Sequence, residues 1–264
     1  HQSTRARIGD AENLLRKSRG RGARTMLIDA KGEECLSALT KMEVDILALP
    51  YAGAAAEKVQ PGAKVDVRGL KYFVLAQAYL DNARTKLPVP ERAEKILVTA
   101  GGSDPVGLTV FFLDVLERIS IHLDIHIIVG PGFDPNLTAT IETKAACMQH
   151  KTLLIHAPNN LAEEVFRADL ALSASGLTKY ELAFSGTPCV LVSIDENHDI
   201  ANRPFAALGS CVDFGKLGGA TTGDLLSEIE ALLDDTARRR AFATAGPAAV
   251  DGQGTQRLLD LLYG

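Results

Sequence analysis

The hydrophobic and polar positions from residue 95 onward follow two periods. Continuous apolar runs such as Ile96–Ala100 are typical of strands buried on both faces of a parallel sheet. Between these runs, apolar residues recur at intervals of three and four, as on the buried face of a helix. The pattern predicts strands at 96–100, 125–129, 153–155, 169–173 and 189–194, and helices at 108–119, 161–167, 177–185, 200–208, 223–233 and 255–262. This alternation predicts βαβ units and a doubly wound α/β sheet, with ligands at the carboxyl ends of the strands.

The same pattern is weaker over the first 88 residues. It predicts a surface helix at 11–17, strands at 25–29 and 45–49, and a helix at 33–41. Residues 81–94 are polar and contain two prolines, which is typical of an extended connector. We therefore predict two domains, residues 1–88 and residues 89–264. The basic residues among the first 24 indicate either the solvated face of a helix or a patch that meets phosphates or a membrane surface.

Composition excludes several classes of protein. With 264 residues, 46% of them hydrophobic, the chain can form one large domain or two small ones and is not expected to be disordered. Its apolar runs, such as 187–194, are far shorter than the roughly 20 residues of a membrane span, so we predict no integral membrane segment. A net charge of −5 makes nucleic acid an unfavourable partner. We expect Cys189 and Cys211 to be buried, reduced thiols of a cytoplasmic protein.

The absence of several sequence motifs disfavours further classes of enzyme and cofactor. The sequence has no Gly-x-Gly-x-x-Gly, which disfavours nicotinamide and flavin dinucleotides, and no P-loop motif Gly-x-x-x-x-Gly-Lys-[Ser/Thr]. It also has no Gly-x-Ser-x-Gly, because position 173 is Ser, and this argues against an α/β-hydrolase. No His and acidic residues have the spacing of a His-Glu-x-x-His metal site. We therefore predict neither a metal nor a cofactor.

The first candidate site is the segment Gly101–Pro105, which directly follows the predicted strand at 96–100. Its two glycines have no Cβ, so their backbone N–H groups can come close to a ligand. Pro105 stands where a first helical turn would begin, and a helix start provides unpaired N–H groups and a partial positive charge. The segment suits an anion such as a diphosphate. It is equally consistent with a tight turn capped by Ser103 or Asp104, and we assign capping to Asp104 because a carboxylate repels phosphate.

The second candidate site is the segment Ser173–Thr178, again between a predicted strand and a predicted helix. Its small and hydroxyl-bearing residues stand at another helix start, so a nucleotide diphosphate fits the two segments better than a single phosphate does. Glu181 lies one turn into the helix, where a carboxylate can accept two hydrogen bonds from a ribose diol. Taken alone, Glu181 is more simply explained as an exposed carboxylate at the positive end of a helix.

The third candidate site is the segment Asp195–His198, at the end of the predicted strand at 189–194. We expect a loop here, in which a carboxylate pair, an amide and an imidazole could bind sugar hydroxyls or transfer protons. His198 is the His that falls in a plausible site loop.

Taken in order, these segments resemble the nucleotide-binding half of GT-B proteins. The resemblance is to the PseG- and SpsG-like subgroup of UDP-sugar hydrolases and, more distantly, to the MurG-like glycosyltransferases, and it covers about residues 69–264. The segments that carry it are Gly101–Pro105, Ala168–Ala171, Ser175–Leu182, Gly186–Pro188, Glu196–Asn197 and Asp251–Arg257. The resemblance implies a GT-B-like fold of two Rossmann-like domains with parallel sheets, of which the N-terminal one is expected to be incomplete in this chain.

The resemblance also implies a role for each matching position. A UDP-sugar would have its diphosphate, its ribose and its uracil held by separate groups. The implied positions are Gly101, Gly102, Ser103, Ser175, Gly176, Leu177 and Thr178 for the diphosphate, Glu181 for the ribose, and main-chain groups near Ile155 and His156 for uracil. Asn197 and His198 would face the departing sugar as catalytic residues, although relatives place Gln where this chain has His198.

The resemblance fails at the start of the chain. The family pattern has a Gly-His-x-x-Arg turn after its first strand, and that His acts on the attacking water. Here the sequence begins His1-Gln-Ser-Thr-Arg5 without a preceding Gly or strand, so we assign no general base to this region. Three hypotheses stay open: hydrolysis of a UDP-activated amino sugar, transfer of its sugar to a lipid or polysaccharide acceptor, and binding of a nucleotide sugar without catalysis.

Overall fold

A computed structural model describes residues 2–29, 43–56, 63–83, 86–219 and 221–264. Within them the helices are α1 (Gln2–Arg19), α2 (Gln77–Asn82), α3 (Leu108–Leu116), α4 (Pro135–Cys147), α5 (Ala162–Arg167), α6 (Thr178–Ser185), α7 (Glu196–Ala206), α8 (Thr222–Asp234), α9 (Thr236–Ala249) and α10 (Gly254–Tyr263). The strands are β1 (Met26–Ile28), β2 (Val44–Leu49), β3 (Ala63–Arg68), β4 (Lys95–Thr99), β5 (Asp124–Val129), β6 (Lys151–His156), β7 (Leu170–Ala174), β8 (Cys189–Ser193) and β9 (Cys211–Lys216). Short 3-10 turns occupy Ala54–Ala56 and Leu70–Tyr72.

Residues 76–250 form one compact unit around a six-stranded parallel sheet. The strand order is β6-β5-β4-β7-β8-β9, and β7 and β8 are buried along their whole length. Strands β5 and β6 lie on one side of β4, whereas the later strands lie on the other, so the direction of winding reverses between β4 and β7. Such a reversal leaves a crevice at the carboxyl ends of the strands, and it confirms the predicted doubly wound α/β sheet.

The core of this unit explains why the apolar runs form strands. Side chains of β4, β5, β7 and β8 pack against α3, α4 and α8 in one continuous hydrophobic cluster. Beneath α8, the fully buried guanidinium of Arg239 donates hydrogen bonds to the carbonyl oxygens of Leu232, Leu233, Pro90 and Glu91. Because buried carbonyls need donors, this side chain fixes the proline-containing connector against the sheet unit.

The remaining residues, up to Leu75 and from Asp251 onward, form a second compact unit. Its parallel sheet has the order β1-β2-β3, and Leu258 of α10 packs on Ile46, Ala48 and Val67 of this sheet. The last helix therefore belongs with the first strands. Contacts divide the chain after residue 75 and again after residue 250, whereas the sequence pattern places a single boundary after residue 88.

The strands and helices predicted after residue 95 are all present, with boundaries within four residues, and the early strands and the first helix are confirmed as well. The predicted helix at 33–41 lies outside the described residues. The pattern did not reveal α2, β3, α4, β9 and α9. None of the helices in the described ranges is both long enough and apolar enough to span a bilayer.

Candidate functional site

The loop after β4 presents backbone N–H groups at the switch point. Gly101 has φ +80°, a conformation that favours glycine. Within the described ranges, the N–H groups of residues 101–103 meet no backbone or side-chain acceptor. The turn after β5 fixes this loop, because the N–H of Gly132 donates to the carbonyl oxygen of Gly102 at 2.8 Å. A rigid row of free donors of this kind suits an anion.

The predicted helix start at Pro105 is wrong. Helix α3 begins three residues later, after Gly107 in the left-handed conformation. The carboxylate of Asp104 accepts from the N–H groups of Leu108 at 2.7 Å and Thr109 at 2.8 Å. Asp104 is therefore the capping residue, as predicted, but it occupies two of the helix donors that were expected to face a ligand. This segment therefore offers a ligand the backbone N–H groups of its loop and not those at the beginning of α3.

The loop after β7 ends at the start of α6, which has no side-chain cap. The residue before the helix is Leu177, and Gly176 and Leu177 are exposed. In the part of the chain that the structure describes, the N–H groups of 176–178 have no acceptor. Ser175 is buried below them and accepts a hydrogen bond from Asn202 Nδ2 at 2.6 Å. The beginning of α6 therefore keeps free donors and the positive end of its dipole.

Glu181 lies in the first turn of α6 and is half-buried, whereas its simpler interpretation required an exposed carboxylate. Its carboxylate accepts hydrogen bonds from the hydroxyls of Tyr79, on α2, and Thr178. Burial raises the pKa of Glu181, and the two hydrogen bonds offset this only in part. Burial and the neighbouring carboxylate also raise the pKa of Tyr79, so its hydroxyl stays protonated and donates. The result is an oriented carboxylate beside the free donors of α6.

Replacing Glu181 by Gln is expected to raise the melting temperature at neutral pH. The raised pKa means that the ionised carboxylate destabilises the folded state, and glutamine removes this charge while it keeps an acceptor. The gain should vanish on acidification, since the wild-type carboxyl is then protonated in the folded and unfolded states alike. Thermal unfolding at neutral and acidic pH tests this, with the exposed Glu230→Gln as control. A lower melting temperature at neutral pH would contradict it.

The predicted loop at Asp195–His198 is the beginning of α7. Asp195 caps this helix, and its Oδ1 accepts from the backbone N–H of His198 and pairs with its ring Nδ1, both at 2.8 Å. Burial opposes ionisation of Asp195, but the bonds from His198 outweigh it and lower the pKa of the carboxyl. Asn197 is exposed between them. The sequence pattern predicted this helix from residue 200 and missed its first turn, because that turn is entirely polar.

The predicted uracil side lies at the end of β6. Ile155 pairs with Ile128 and His156 with Val129, so this end is level with the loops after β4 and β5. Ala157 follows with φ +40°, which is uncommon for a residue with a side chain. Since neighbouring strands are about 4.8 Å apart, β6 stands about 10 Å from β4, a span that fits the separation of a base from its diphosphate.

All residues predicted for the site therefore lie along one edge of one sheet. The loops that carry them follow β4, β6, β7 and β8. Sequence reasoning missed Tyr79, which contacts Glu181, Asn202, which bonds to Ser175, and Lys179, which bonds to Asn202. No local signal distinguishes them, because Tyr79 and Asn202 lie in helices rich in polar residues. Among the described residues, no three His, Cys, Asp or Glu side chains are grouped as metal ligands would be.

Comparison with known proteins supports the architecture. No family model matches the chain. The spore coat polysaccharide biosynthesis protein SpsG of Bacillus subtilis (strain 168) is 27% identical over 196 residues, which cover 74% of this chain and 57% of that protein. The matched region thus spans less than two thirds of that relative.

Two solved structures share the arrangement of strands and helices at low sequence identity. Acinetobacter baumannii MurG is 18% identical with a TM-score of 0.64, over 97% of this chain and 78% of that one. Anabaena HepE, in complex with UDP and glucose, is 11% identical with a TM-score of 0.55, over 91% and 71%. The two parallel sheets and these likenesses show that the chain has a GT-B-like α/β fold with two Rossmann-like domains.

Proposed function

We propose that the protein is a nucleotide-sugar enzyme that binds a UDP-activated sugar along the carboxyl edge of its six-stranded sheet. The observation that carries this proposal is the pair of free donor groups on either side of the switch point, at residues 101–103 and 176–178. Two anion-binding segments side by side fit a diphosphate better than a single phosphate. The likeness to SpsG, and the UDP present in the HepE structure, are consistent with this ligand.

Two glycines of these segments provide a second, independent argument for a ligand that approaches the backbone. A Cβ built on Gly102 or Gly176 would meet nothing within 4 Å, and neither residue has a left-handed φ. The fold therefore does not require glycine at either position. Close approach of a ligand to the backbone would require it, because a Cβ would stand between the ligand and the N–H groups.

The proposed reaction is hydrolysis. Water would attack the anomeric carbon, the bond from that carbon to the phosphate oxygen would break, and UDP would leave with the electron pair. Backbone donors at the two segments would stabilise the charge that develops on the diphosphate. With Nδ1 of His198 donating to Asp195, Nε2 carries the lone pair that can accept the proton from water. Asn197, exposed at the start of α7, would position the water or the leaving group.

Transfer of the sugar to a lipid or polysaccharide acceptor is the second candidate. The same donor-binding edge would serve it, and MurG provides a fold of this type over nearly the whole chain. The two reactions differ in whether an acceptor is needed for UDP release. Binding without turnover is the third outcome.

Calorimetric titration with UDP, followed by incubation with UDP-N-acetylglucosamine alone, tests the proposal. We expect UDP to bind and Glu181→Gln to weaken it, because glutamine removes one charged acceptor for the ribose diol. Release of UDP without an acceptor supports hydrolysis, whereas release only after an acceptor is added supports transfer. Absence of UDP binding to the wild-type protein would overturn the proposal.

A further inference from the structure

Lys179 is a buried cation immediately below the candidate diphosphate site. It lies in the first turn of α6 and is only 2% exposed. Its Nζ donates to Asn202 Oδ1 at 3.0 Å and to the carbonyl oxygen of Ala201 at 3.4 Å. Asn202 in turn donates to Ser175, so two hydrogen bonds join the ammonium group to the loop that begins the site.

This position is unfavourable for a lysine in the absence of a ligand. A cation in the first turn faces the positive end of the helix dipole. A buried ammonium group also loses its hydration, and neither hydrogen-bond partner of Lys179 is a carboxylate. The rings of Tyr180 and Phe205, at 5.2 and 5.7 Å from Nζ, and the charge of Asp213 on β9 compensate only in part, since the pKa of Lys179 stays lowered. An anion bound at the beginning of α6 would supply further opposite charge.

The sequence also shows that Lys179 is an unusual positive charge at this edge of the sheet. The loops and first helical turns at this edge are residues 100–111, 130–138, 157–165, 175–181 and 194–199, and their only Lys or Arg is Lys179. The same segments contain several carboxylates, including the capping residues Asp104 and Asp195. A diphosphate at this edge would therefore have Lys179 as its positive charge within these segments.

We infer that Lys179 is a positioning residue for a nucleoside diphosphate, which it stabilises through its buried charge and through Asn202 and Ser175, without touching the ligand. The inference rests on the proposed function. Because ligand and ammonium group would stabilise each other, binding of the diphosphate and protonation of Lys179 would be coupled.

The groups that face Lys179 set its protonation in the free protein. Burial lowers the pKa of Lys179 to about 8. The ionisable groups that act on it from the neighbouring strands are Cys189 of β8 and Cys211 and Asp213 of β9. Helix α7 contributes the uncharged Asn202 and Phe205. A hydrogen bond with Cys211, together with burial, raises the pKa of Cys189, so that thiol stays neutral near pH 8.

An anion favours the charged form of Lys179, so UDP binding should raise its pKa and take up protons. Affinity for UDP should therefore fall as the pH rises through 8, where the free lysine loses its proton. We expect Lys179→Met to weaken UDP binding at least about tenfold below this pH, and to abolish both the fall in affinity and the proton uptake. Binding of uncharged uridine should not change.

Lys86 provides a matched control. It is half-buried, burial likewise lowers its pKa to about 8, and its Nζ donates to the carbonyl oxygen of Ala168 and to the Thr187 hydroxyl, away from the candidate loops. Calorimetry in buffers of different ionisation enthalpy, with UDP and uridine, should therefore show wild-type proton uptake in Lys86→Met. If Lys179→Met does not fold, Lys179→Gln takes its place in the experiment, because glutamine keeps an N–H donor without the charge.

Three results would overturn the inference. UDP binding and proton uptake that are unchanged in Lys179→Met would refute it and leave the proposed function standing. An equal loss for UDP and uridine would show that the substitution disturbs the structure in general, and would also refute it. Failure of the wild-type protein to bind UDP would refute the proposed function itself, and the inference with it.

Discussion

Substitution of Gly130 by alanine is expected to abolish most UDP binding. A Cβ at this position would come within 2.5 Å of the carbonyl oxygen of Gly101 and 2.6 Å of that of Gly102. Both are backbone atoms, so the loop after β4 would have to move and carry its free N–H groups away from the ligand. Losing two charge-assisted hydrogen bonds, at about 1.5 kcal/mol each, corresponds to about a hundredfold in affinity.

Gly132→Ala is the matched control for this prediction. It lies in the same turn, but its Cβ would stand 3.1 Å from the carbonyl oxygen of Gly102, a distance that small shifts can relieve. We expect its UDP affinity to change by less than about tenfold. Calorimetry on both variants, with circular dichroism to show that each is folded, provides the comparison. Equal affinities would mean that the position of residues 101–103 does not matter for binding.

Gly254→Ala is expected to produce the largest loss of stability, about 3 kcal/mol or more in the free energy of unfolding. Gly254 begins α10, and a Cβ there would overlap the carbonyl oxygen of Phe73 and stand 2.6 Å from the carbonyl carbon of Tyr72. Helix α10 would have to move away, which would expose Leu258 and the apolar face of β2. Chemical denaturation measures the loss.

Gly223 is the control for this second prediction, because it also lies in the first turn of a helix. Its Cβ would meet only the Thr221 hydroxyl, at the ordinary distance of 3.6 Å. Gly223→Ala should change the free energy of unfolding by less than about 1 kcal/mol. Hydrogen exchange should locate the effect of Gly254→Ala in β2 and β3. A Gly254→Ala protein as stable as Gly223→Ala would show that α10 does not depend on this close approach.

The sequence predicted the centre of the large sheet better than its edges. β4, β7 and β8 are buried on both faces, so most of their residues are apolar and the strands are easy to recognise. The edge strand β9 of this sheet, like the edge strand β3 of the small sheet, mixes charged and apolar residues because one side of each faces solvent. Helix α9 contains Gly246 and Pro247, which argue against a helix in the sequence, yet Gly246 is needed because Ala183 of α6 packs directly against it.

For the candidate site, glycines and helix starts near strand ends were predictable, whereas partners from distant parts of the chain were not. Tyr79 reaches Glu181 from a short helix before the connector, and no local pattern links two residues so far apart. The position of Asp104 was also unpredictable, because its side chain bonds two amides only after the backbone adopts φ +41°. Such contacts follow from the fold rather than from spacing along the chain.

The position of α10 has a consequence for synthesis of the protein on the ribosome. Residues 76–250 precede α10 in the chain and form a compact unit without it, so they leave the ribosome first and can begin to fold before α10 is available. The sheet of β1, β2 and β3 is synthesised earlier but receives Leu258 only after all of residues 76–250 have left the exit tunnel. Until then the face of β2 that Leu258 covers is open to chaperones and to other nascent chains, so variants that slow folding of residues 76–250 should aggregate through β2.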